Sequence, residues 1–515
     1  MIDTKNTKPA QALVSILLTV AIIGAVILSL LPSKNQDTGT SQEATIPPIP
    51  TAIPREVIDA LSTGEKAVQE KNYQAAVGAY STVIALMPND FFAYTQRSLA
   101  YKSLGFFAKA QDDIESAIAI NGEDNDLLRQ RADLYVLTEN YPNAIADYTA
   151  AIEINPADIE AYSNRSIAYI RTGALEEALS DLEHVIAVLP DQPNAYLNRA
   201  LIYTSMDQLE DALADYSKSI EVSTENTAEI YARRGLLYAL MEKNNEALAD
   251  FAEAINQGLQ DENIYNERGR IYASQGESEI AIADFGQAIA LNPNNPTLYY
   301  NRGAIYLGLQ DYDTAISNYK QAVDLDPTNM VYYNNLGISY YLKGDLAEAI
   351  TAYDQAIALD PTYILAYQNR ANAYAQNNES DTAIEEYTKV IEMDPSNSEA
   401  YYNRGIVYYQ SRKFTQALAD FDQIISQEMS NIVTALNMRA IVYSMQNKTY
   451  AALDDLTLAI EKDPEYATSY YRRAIIYHSL GKTSEAIEDL KRYLELETDT
   501  EMKKEAEDIL KSLGG

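Results

Sequence analysis

Residues 159–192 read IEAYSNRSIAYIRTGALEEALSDLEHVIAVLPDQ and contain a complete two-helix pattern. Apolar or small residues recur at spacings of three, four and seven on both sides of Gly173, as on one face of each of two short helices. Gly173 marks the turn between them. Pro190 ends the second helix, because proline has no amide hydrogen with which to continue it. This stretch therefore predicts one helical hairpin.

The same pattern recurs along the chain at a spacing of 34 residues. Its clearest mark is the signature Tyr-x-Asn-Arg, which occupies residues 162–165, 196–199, 299–302, 367–370 and 401–404. A fixed period of this length indicates a unit that cannot bury its apolar face alone and stacks on copies of itself. We therefore predict an all-α solenoid of stacked hairpins.

The repeated unit resembles the tetratricopeptide repeat, which has a large residue at position 4, a small one at 8, Tyr at 11, Ala at 20 and Pro at 32. In this frame thirteen copies begin at Val57, Phe91, Asn125, Ile159, Pro193, Ala228, Glu262, Pro296, Met330, Ile364, Ser398, Val433 and Ala467. Position 11 is Tyr in twelve of them. The resemblance implies a right-handed superhelical solenoid in which the first helix of each hairpin lines a concave groove.

The predicted domains follow from this frame. Residues 57–500 form the thirteen repeats, and residues 501–515 contain a further amphipathic helix, from Glu501 to Leu513, which caps the open end of the stack.

After a short tail at residues 1–11, the segment Ala12–Leu31 has 20 residues without a charge. At 1.5 Å per residue it spans roughly 30 Å, as a transmembrane helix does. Residues 32–56 are rich in Pro, Thr and Ser and predict an extended spacer.

A cleaved secretory signal is the alternative to a retained anchor, but its apolar core is normally about 7–15 residues long. Lys5 and Lys8 precede the apolar run, whereas only Lys34 follows it closely. This bias favours a cytoplasmic amino terminus. We therefore expect a single-pass membrane protein with its repeats on the extracytoplasmic side.

The repeats leave almost no sequence for a catalytic domain. The chain has no Cys, its only histidines are His184 and His478, and it contains no glycine-rich phosphate loop. We therefore expect no enzymatic activity, no cofactor, no metal and no small-molecule substrate.

The 39 basic and 75 acidic side chains give a net charge of −36, which disfavours binding of nucleic acid. This charge either attracts a basic partner segment or merely keeps a long solenoid soluble.

Arginine recurs at position 7 of the repeat and an acid at position 23. Where the arginine is missing, at Thr63 and Leu336, the acid is missing too, at Ala79 and Ala352. A partly buried arginine needs a carboxylate to offset its desolvation. We therefore predict structural ion pairs within each hairpin. Examples are Arg165 with Asp181, Arg199 with Asp215 and Arg404 with Asp420.

Asparagine recurs at position 6, which faces the groove in the family. These residues are Asn164, Asn198, Asn301, Asn335, Asn369 and Asn403, and nearby tyrosines are Tyr300, Tyr341, Tyr402 and Tyr409. An Asn side chain has one acceptor and two donors, so it can bond both polar groups of an extended peptide backbone. The pattern resembles the asparagine ladders of peptide-binding tetratricopeptide proteins. The alternative is that each Asn bonds a neighbouring hairpin.

These observations predict a membrane-anchored scaffold or adaptor for protein–protein interactions. It would bind partner proteins, or extended or basic peptide segments, in the groove of its repeats. The alternative is a structural tether or assembly factor of a membrane complex that uses its outer face without peptide capture.

Overall fold

The structure is a computed structural model that describes residues 54–224 and 227–514. In this part of the chain there are 27 helices and no strand, which confirms the all-α prediction. The predicted transmembrane segment Ala12–Leu31 and all but the end of the predicted spacer lie outside the described residues. Within the described ranges, none of the helices combines the length and the apolar character that crossing a bilayer requires.

The chain divides into two compact units, the first ending at Ile271 and the second beginning at Tyr272. The helices of the first unit are α1 (Arg55–Gln69), α2 (Tyr73–Leu86), α3 (Phe91–Ser103), α4 (Phe107–Asn121), α5 (Asn125–Leu137), α6 (Tyr141–Ile154), α7 (Ile159–Thr172), α8 (Leu175–Val188), α9 (Pro193–Ser205), α10 (Leu209–Val222), α11 (Ala228–Leu240), α12 (Asn244–Asn256) and most of α13 (Glu262–Ser274).

The second unit contains the end of α13 and the remaining helices. They are α14 (Ser278–Leu291), α15 (Pro296–Gly308), α16 (Tyr312–Leu325), α17 (Met330–Lys343), α18 (Leu346–Leu359), α19 (Ile364–Gln376), α20 (Ser380–Met393), α21 (Ser398–Gln410), α22 (Phe414–Ser426), α23 (Ile432–Met445), α24 (Thr449–Lys462), α25 (Ala467–Ser479), α26 (Thr483–Leu496) and α27 (Thr500–Ser512).

The odd-numbered helices up to α25 are the first helices of the repeats. Eleven of these thirteen begin at the residue where the sequence frame starts a copy. The exceptions are α1, which begins at Arg55 and not at Val57, and α23, which begins at Ile432 and not at Val433. Within the first unit α1 to α12 pack as six consecutive hairpins, and within the second α15 to α26 do the same.

The last helix, α27, packs on α26 at the end of the second unit. Its only buried residue, Ala506, belongs to an apolar cluster that includes Leu490 and Tyr493 of α26. Polar residues cover much of the rest of α27, among them exposed Glu501, Glu505 and Lys511. This helix is therefore amphipathic, with one buried face.

The centre of a hairpin is a contact between position 8 of the first helix and position 24 of the second. In the ninth repeat these residues are Gly337 and Tyr353, and a Cβ added to Gly337 would lie 2.5 Å from the tyrosine ring. Gly64 faces Tyr80 and Gly405 faces Phe421 in the same way. The small residue at position 8 is therefore required by the ring that packs on it.

The turn between the two helices places position 15 in the left-handed backbone region in all thirteen repeats. Five copies have glycine there, at Gly105, Gly173, Gly276, Gly344 and Gly481. The other eight have Lys71, Glu139, Asp207, Glu242, Gln310, Asn378, Arg412 and Asn447, all with φ between 56 and 63°. The turn predicted at Gly173 thus recurs in every repeat, and in eight of them it is formed by a residue other than glycine, for which this conformation carries a steric cost.

Candidate binding surface

The arginine ladder has the pairing that the sequence predicts. Nε and Nη2 of Arg165 donate to the two carboxylate oxygens of Asp181 at 2.8 and 2.7 Å. Arg199 binds Asp215 in the same bidentate way at 2.6 and 2.8 Å, and Arg404 binds Asp420 at 2.9 and 2.7 Å. Each of these pairs joins the two helices of one hairpin.

The remaining nitrogen of the guanidinium often reaches the preceding repeat, a contact that the sequence reasoning missed. Nη1 of Arg165 donates to the Thr149 hydroxyl at 2.9 Å, and Nη1 of Arg404 donates to the Thr388 hydroxyl at 2.8 Å. Both threonines occupy position 25 of the preceding copy. One arginine therefore connects three helices.

Tyrosines at positions 4 and 11 enclose this guanidinium. The Cζ atom of Arg165 lies 5.4 Å from the ring centroid of Tyr162 and 5.6 Å from that of Tyr169. Such double contacts occur at Arg97, Arg165, Arg199, Arg234, Arg404 and Arg473. The hydrogen bond from Arg199 to Asp215 raises the pKa of Arg199, so its charge is held within the hairpin. These tyrosines and arginines are architectural.

Three of the six predicted groove asparagines are buried. Asn164, Asn198 and Asn335 expose 7%, 3% and 3% of their surface. The Asn164 amide donates to Asp133 of the preceding repeat at 3.2 Å. The Asn335 amide donates to the carbonyl of Val331 in its own helix at 2.9 Å. At this degree of burial, the three amides present little surface to a peptide.

The other three, Asn301, Asn369 and Asn403, are half-buried. Nδ2 of Asn369 donates to Oδ1 of Asn334 at 3.0 Å, and Nδ2 of Asn403 donates to Oδ1 of Asn372 at 3.4 Å. Both hydrogen bonds join one repeat to the preceding one, as the alternative hypothesis for the asparagines at position 6 describes. Peptide binding at these three residues stays a prediction.

The four predicted tyrosines are half-buried as well. The ring centroid of Tyr300 lies 5.7 Å from that of Tyr319 and 5.2 Å from that of Tyr332, so this ring packs within the stack. Tyr402 lies 6.2 Å from Phe421, and Tyr409 lies 6.2 Å from Phe414. Burial raises the pKa of Tyr341. These rings combine a packed edge with a partly accessible surface, as interface tyrosines do.

Arg472 is a candidate binding residue that the sequence analysis did not select. It occupies position 6 of the last repeat, and no carboxylate of the described residues forms an ion pair with it. Its Nη1 donates to the side-chain Oδ1 of Asn437 at 3.5 Å. Burial lowers the pKa of Arg472, whereas the nearby Tyr466, Tyr402 and Tyr409 act to raise it. A desolvated guanidinium without a counter-charge is suited to bind an oxygen of a partner.

The signal for Arg472 was present in the sequence. It is an arginine at position 6, where six other repeats have asparagine and one has Arg233, in a chain with a net charge of −36. An open cavity of about 460 Å³ adjoins it, and Met445 and Ile475 supply apolar lining. We call Tyr402, Tyr409, Asn437, Tyr466 and Arg472 the Arg472 cluster.

Neither histidine lies in a metal-binding group. The His184 ring packs on Tyr162 with 4.2 Å between centroids. No group of three or more His, Cys, Asp or Glu side chains in the described ranges is arranged to hold a metal ion.

Comparison with known families identifies the repeat. Models described as TPR repeat or tetratricopeptide repeat match residues 132–173, 193–226, 269–310, 294–362, 352–385, 371–411, 399–428 and 456–488. The chain therefore belongs to the tetratricopeptide-repeat proteins.

Similarity to individual relatives covers short stretches. A 94-residue segment, 18% of this chain, is 31% identical to small glutamine-rich tetratricopeptide repeat-containing protein 2 of Saccharomyces cerevisiae and spans 27% of that protein. A 76-residue segment, 15% of this chain, is 33% identical to sperm-associated antigen 1 of Mus musculus and spans 8% of it. The chain thus matches only a small part of the length of either relative.

Solved structures show the same limited likeness. A tetratricopeptide repeat protein from Parabacteroides merdae is 21% identical, with 49% of this chain and 99% of that one covered and a TM-score of 0.39. YrrB, a TPR protein with an unusual peptide-binding site, is 25% identical, with 36% and 95% covered and a TM-score of 0.34. Both TM-scores lie below 0.5.

Proposed function

We propose that this protein is a membrane-anchored scaffold that binds partner proteins through its repeats, with the Arg472 cluster as one contact site. Stacked tetratricopeptide hairpins support the scaffold role, because they present side chains from many repeats. The uncharged segment Ala12–Leu31 supports the anchor. The positive residues before it support an extracytoplasmic position for the repeats.

The observation that carries the binding proposal is the unpaired guanidinium of Arg472. The neighbouring ladder arginine, Arg473, donates to both carboxylate oxygens of Asp489 in its own hairpin at 2.8 Å. Arg472 has only the weak contact with Asn437. A backbone carbonyl or carboxylate of a partner segment would satisfy it, while Tyr402 and Tyr409 would supply apolar contact.

The residues Asn301, Asn369 and Asn403 belong to the proposal as a continuation of this surface within the second unit. Their amides are half-buried and those of Asn369 and Asn403 already bond a neighbouring repeat, so a peptide would use their remaining hydrogen-bonding capacity. The excess of acidic side chains elsewhere favours a partner segment of basic character.

Affinity capture tests the proposal with Arg472→Gln combined with Tyr409→Ala. Partners are first recovered by cross-linking in membranes of the native host, and their binding to wild-type and variant protein is then compared. We expect capture to fall at least about tenfold, since a desolvated charged hydrogen bond contributes about 1.5–3 kcal/mol. Arg412→Gln is the matched control, because Arg412 is exposed in a turn and forms no ion pair among the described residues. Unchanged capture by the double variant would favour a tether that uses its outer face.

A further inference from the structure

The ninth repeat keeps the tyrosines of the arginine ladder but lacks the arginine. Tyr333 and Tyr340 occupy positions 4 and 11 in α17, as do the rings that enclose a guanidinium in other repeats. Position 7 is Leu336, and position 23, which carries the acid elsewhere, is Ala352. Both are buried, with 7% and 5% of their surface exposed. The guanidinium and its carboxylate are thus missing together.

An open cavity of about 330 Å³ lies at this place. Its lining includes Tyr333, Leu336, Tyr340, Glu348, Ala352 and Gln355. The two tyrosines that would contact an arginine at position 7 are therefore walls of the cavity, and the two residues that replace the ion pair belong to its apolar lining.

The remaining chemistry favours a cation. Glu348 lies four residues before Ala352 in α18, so its side chain is on the same helix face. It is exposed and has neither an ion pair nor a side-chain hydrogen bond among the described residues. The net charge of −36 also attracts cations. An aromatic wall and a free carboxylate are the two groups that a guanidinium contacts elsewhere in this protein.

We propose that this cavity receives the arginine side chain of a partner segment, with the guanidinium stacked on Tyr333 and Tyr340 and its nitrogens directed to Glu348. The proposal rests on the proposed function, because it supplies one contact of the scaffold with its partner. It identifies that contact by its chemistry: the bound guanidinium would take the place that arginine fills in other repeats, such as Arg404 between Tyr401 and Tyr408.

One neighbouring charge opposes this ligand. Lys320, at position 25 of the preceding repeat, places its ammonium 5.6 Å from the ring centroid of Tyr340. Several other repeats have an acceptor there, such as Ser81 and Ser217, whose hydroxyls accept from Arg97 and Arg234 at 3.0 and 3.1 Å. Lys320 is exposed, so its flexible side chain can move away when a guanidinium enters. Lys320→Ser should therefore tighten arginine binding.

Saturation-transfer NMR of the full-length protein with Nα-acetyl-arginine methylamide tests the proposal. We expect transfer to the side-chain protons of this probe and about tenfold weaker binding of the citrulline analogue, which has the same shape without the charge. Binding of the citrulline, lysine or phenylalanine analogues as tight as that of the arginine probe would overturn the assignment, as would no binding of the arginine probe.

Leu336→Arg combined with Ala352→Asp is the decisive variant, because it rebuilds the intramolecular ion pair and fills the cavity. Binding of the probe should then be lost while the helical circular dichroism is kept, and undiminished binding would overturn the proposal. If this variant does not fold, Glu348→Gln must weaken and Lys320→Ser must tighten binding of the probe, and failure of both would also overturn it. Loss of this site with retained capture of partner proteins would leave the scaffold function standing.

Discussion

At the scale of residues, the arginine at position 7 organises the repeat. Arg165 binds Asp181 with two nitrogens, Thr149 of the preceding repeat with the third, and lies between two tyrosine rings. Its side chain exposes 13% and that of Asp181 5%, so both charges are largely removed from water. A pair in this environment is costly to break on one side, because the other charge is left buried without a partner.

The free energy of unfolding of Arg165→Gln, Asp181→Asn and the double variant should show strong coupling. We expect the double variant to lose about 1–3 kcal/mol less than the sum of the singles, since the second change removes a charge that the first has already isolated. Chemical denaturation measures the three values. The exposed pair Lys218 and Glu221 is the control and should show no measurable coupling. Additive losses at Arg165 and Asp181 would refute the pairing as a source of stability.

The sequence was sufficient to predict this ladder because both partners vanish together at Leu336 and Ala352. It was not sufficient to predict the contact with Thr149, since position 25 varies among Ser, Thr, Asp, Glu, Lys, Ala and Gly and shows no pattern alone. The burial of Asn164 could not be predicted from the sequence either. The same repeat position can face the groove in one repeat and be covered in another, and here the side chain of Asp133 in the preceding repeat contacts Asn164.

At the scale of the hairpin, helix boundaries followed from the repeat frame, but the backbone of the turn did not. Asp207 and Arg412 adopt the same left-handed backbone conformation as Gly173, although their residue types do not predict this conformation. The packing of the second helix determines the backbone conformation at position 15, and residues other than glycine adopt it despite its steric cost. The contact between positions 8 and 24 is a similar tertiary requirement.

Two glycines in helices of similar length should respond oppositely to replacement by alanine. Gly337→Ala brings a methyl group against Tyr353 and should lower the free energy of unfolding by about 1–3 kcal/mol. Gly78→Ala meets no atom within 4 Å and should raise it by about 0.5–1 kcal/mol, because alanine restricts the unfolded chain more than glycine does. Thermal and chemical denaturation check both. Equal effects of the two substitutions would contradict the proposed core contact.

At the scale of the whole molecule, the tyrosine core makes stability sensitive to alkaline pH. Burial is the largest cause of the raised pKa of Tyr148, which lies well above its usual value. Burial is also the largest cause that raises the pKa of Tyr493 to about 12. Above pH 10 the unfolded chain loses tyrosine protons that the folded chain retains, so the unfolded state is favoured. The stabilising contribution is complete below pH 10 and is lost as the pH rises through the folded values.

A titration from pH 8 to pH 13 should therefore show tyrosinate absorbance and loss of helical circular dichroism rising together above pH 10. Tyr148→Phe removes one such proton and should weaken the pH dependence. Full tyrosine ionisation with unchanged helical signal would show that these rings titrate without unfolding and would contradict the linkage.

The central functional claim is that partners bind on the surface of the Arg472 cluster. The most direct test is photo-cross-linking in native membranes with benzoylphenylalanine placed at Tyr409 or, as a control, at Tyr450, which is 70% exposed on the second helix of its hairpin. We predict partner adducts from position 409 that disappear with Arg472→Gln, and none from position 450. Adducts from position 450 alone would contradict this account and support a tether that uses its outer face.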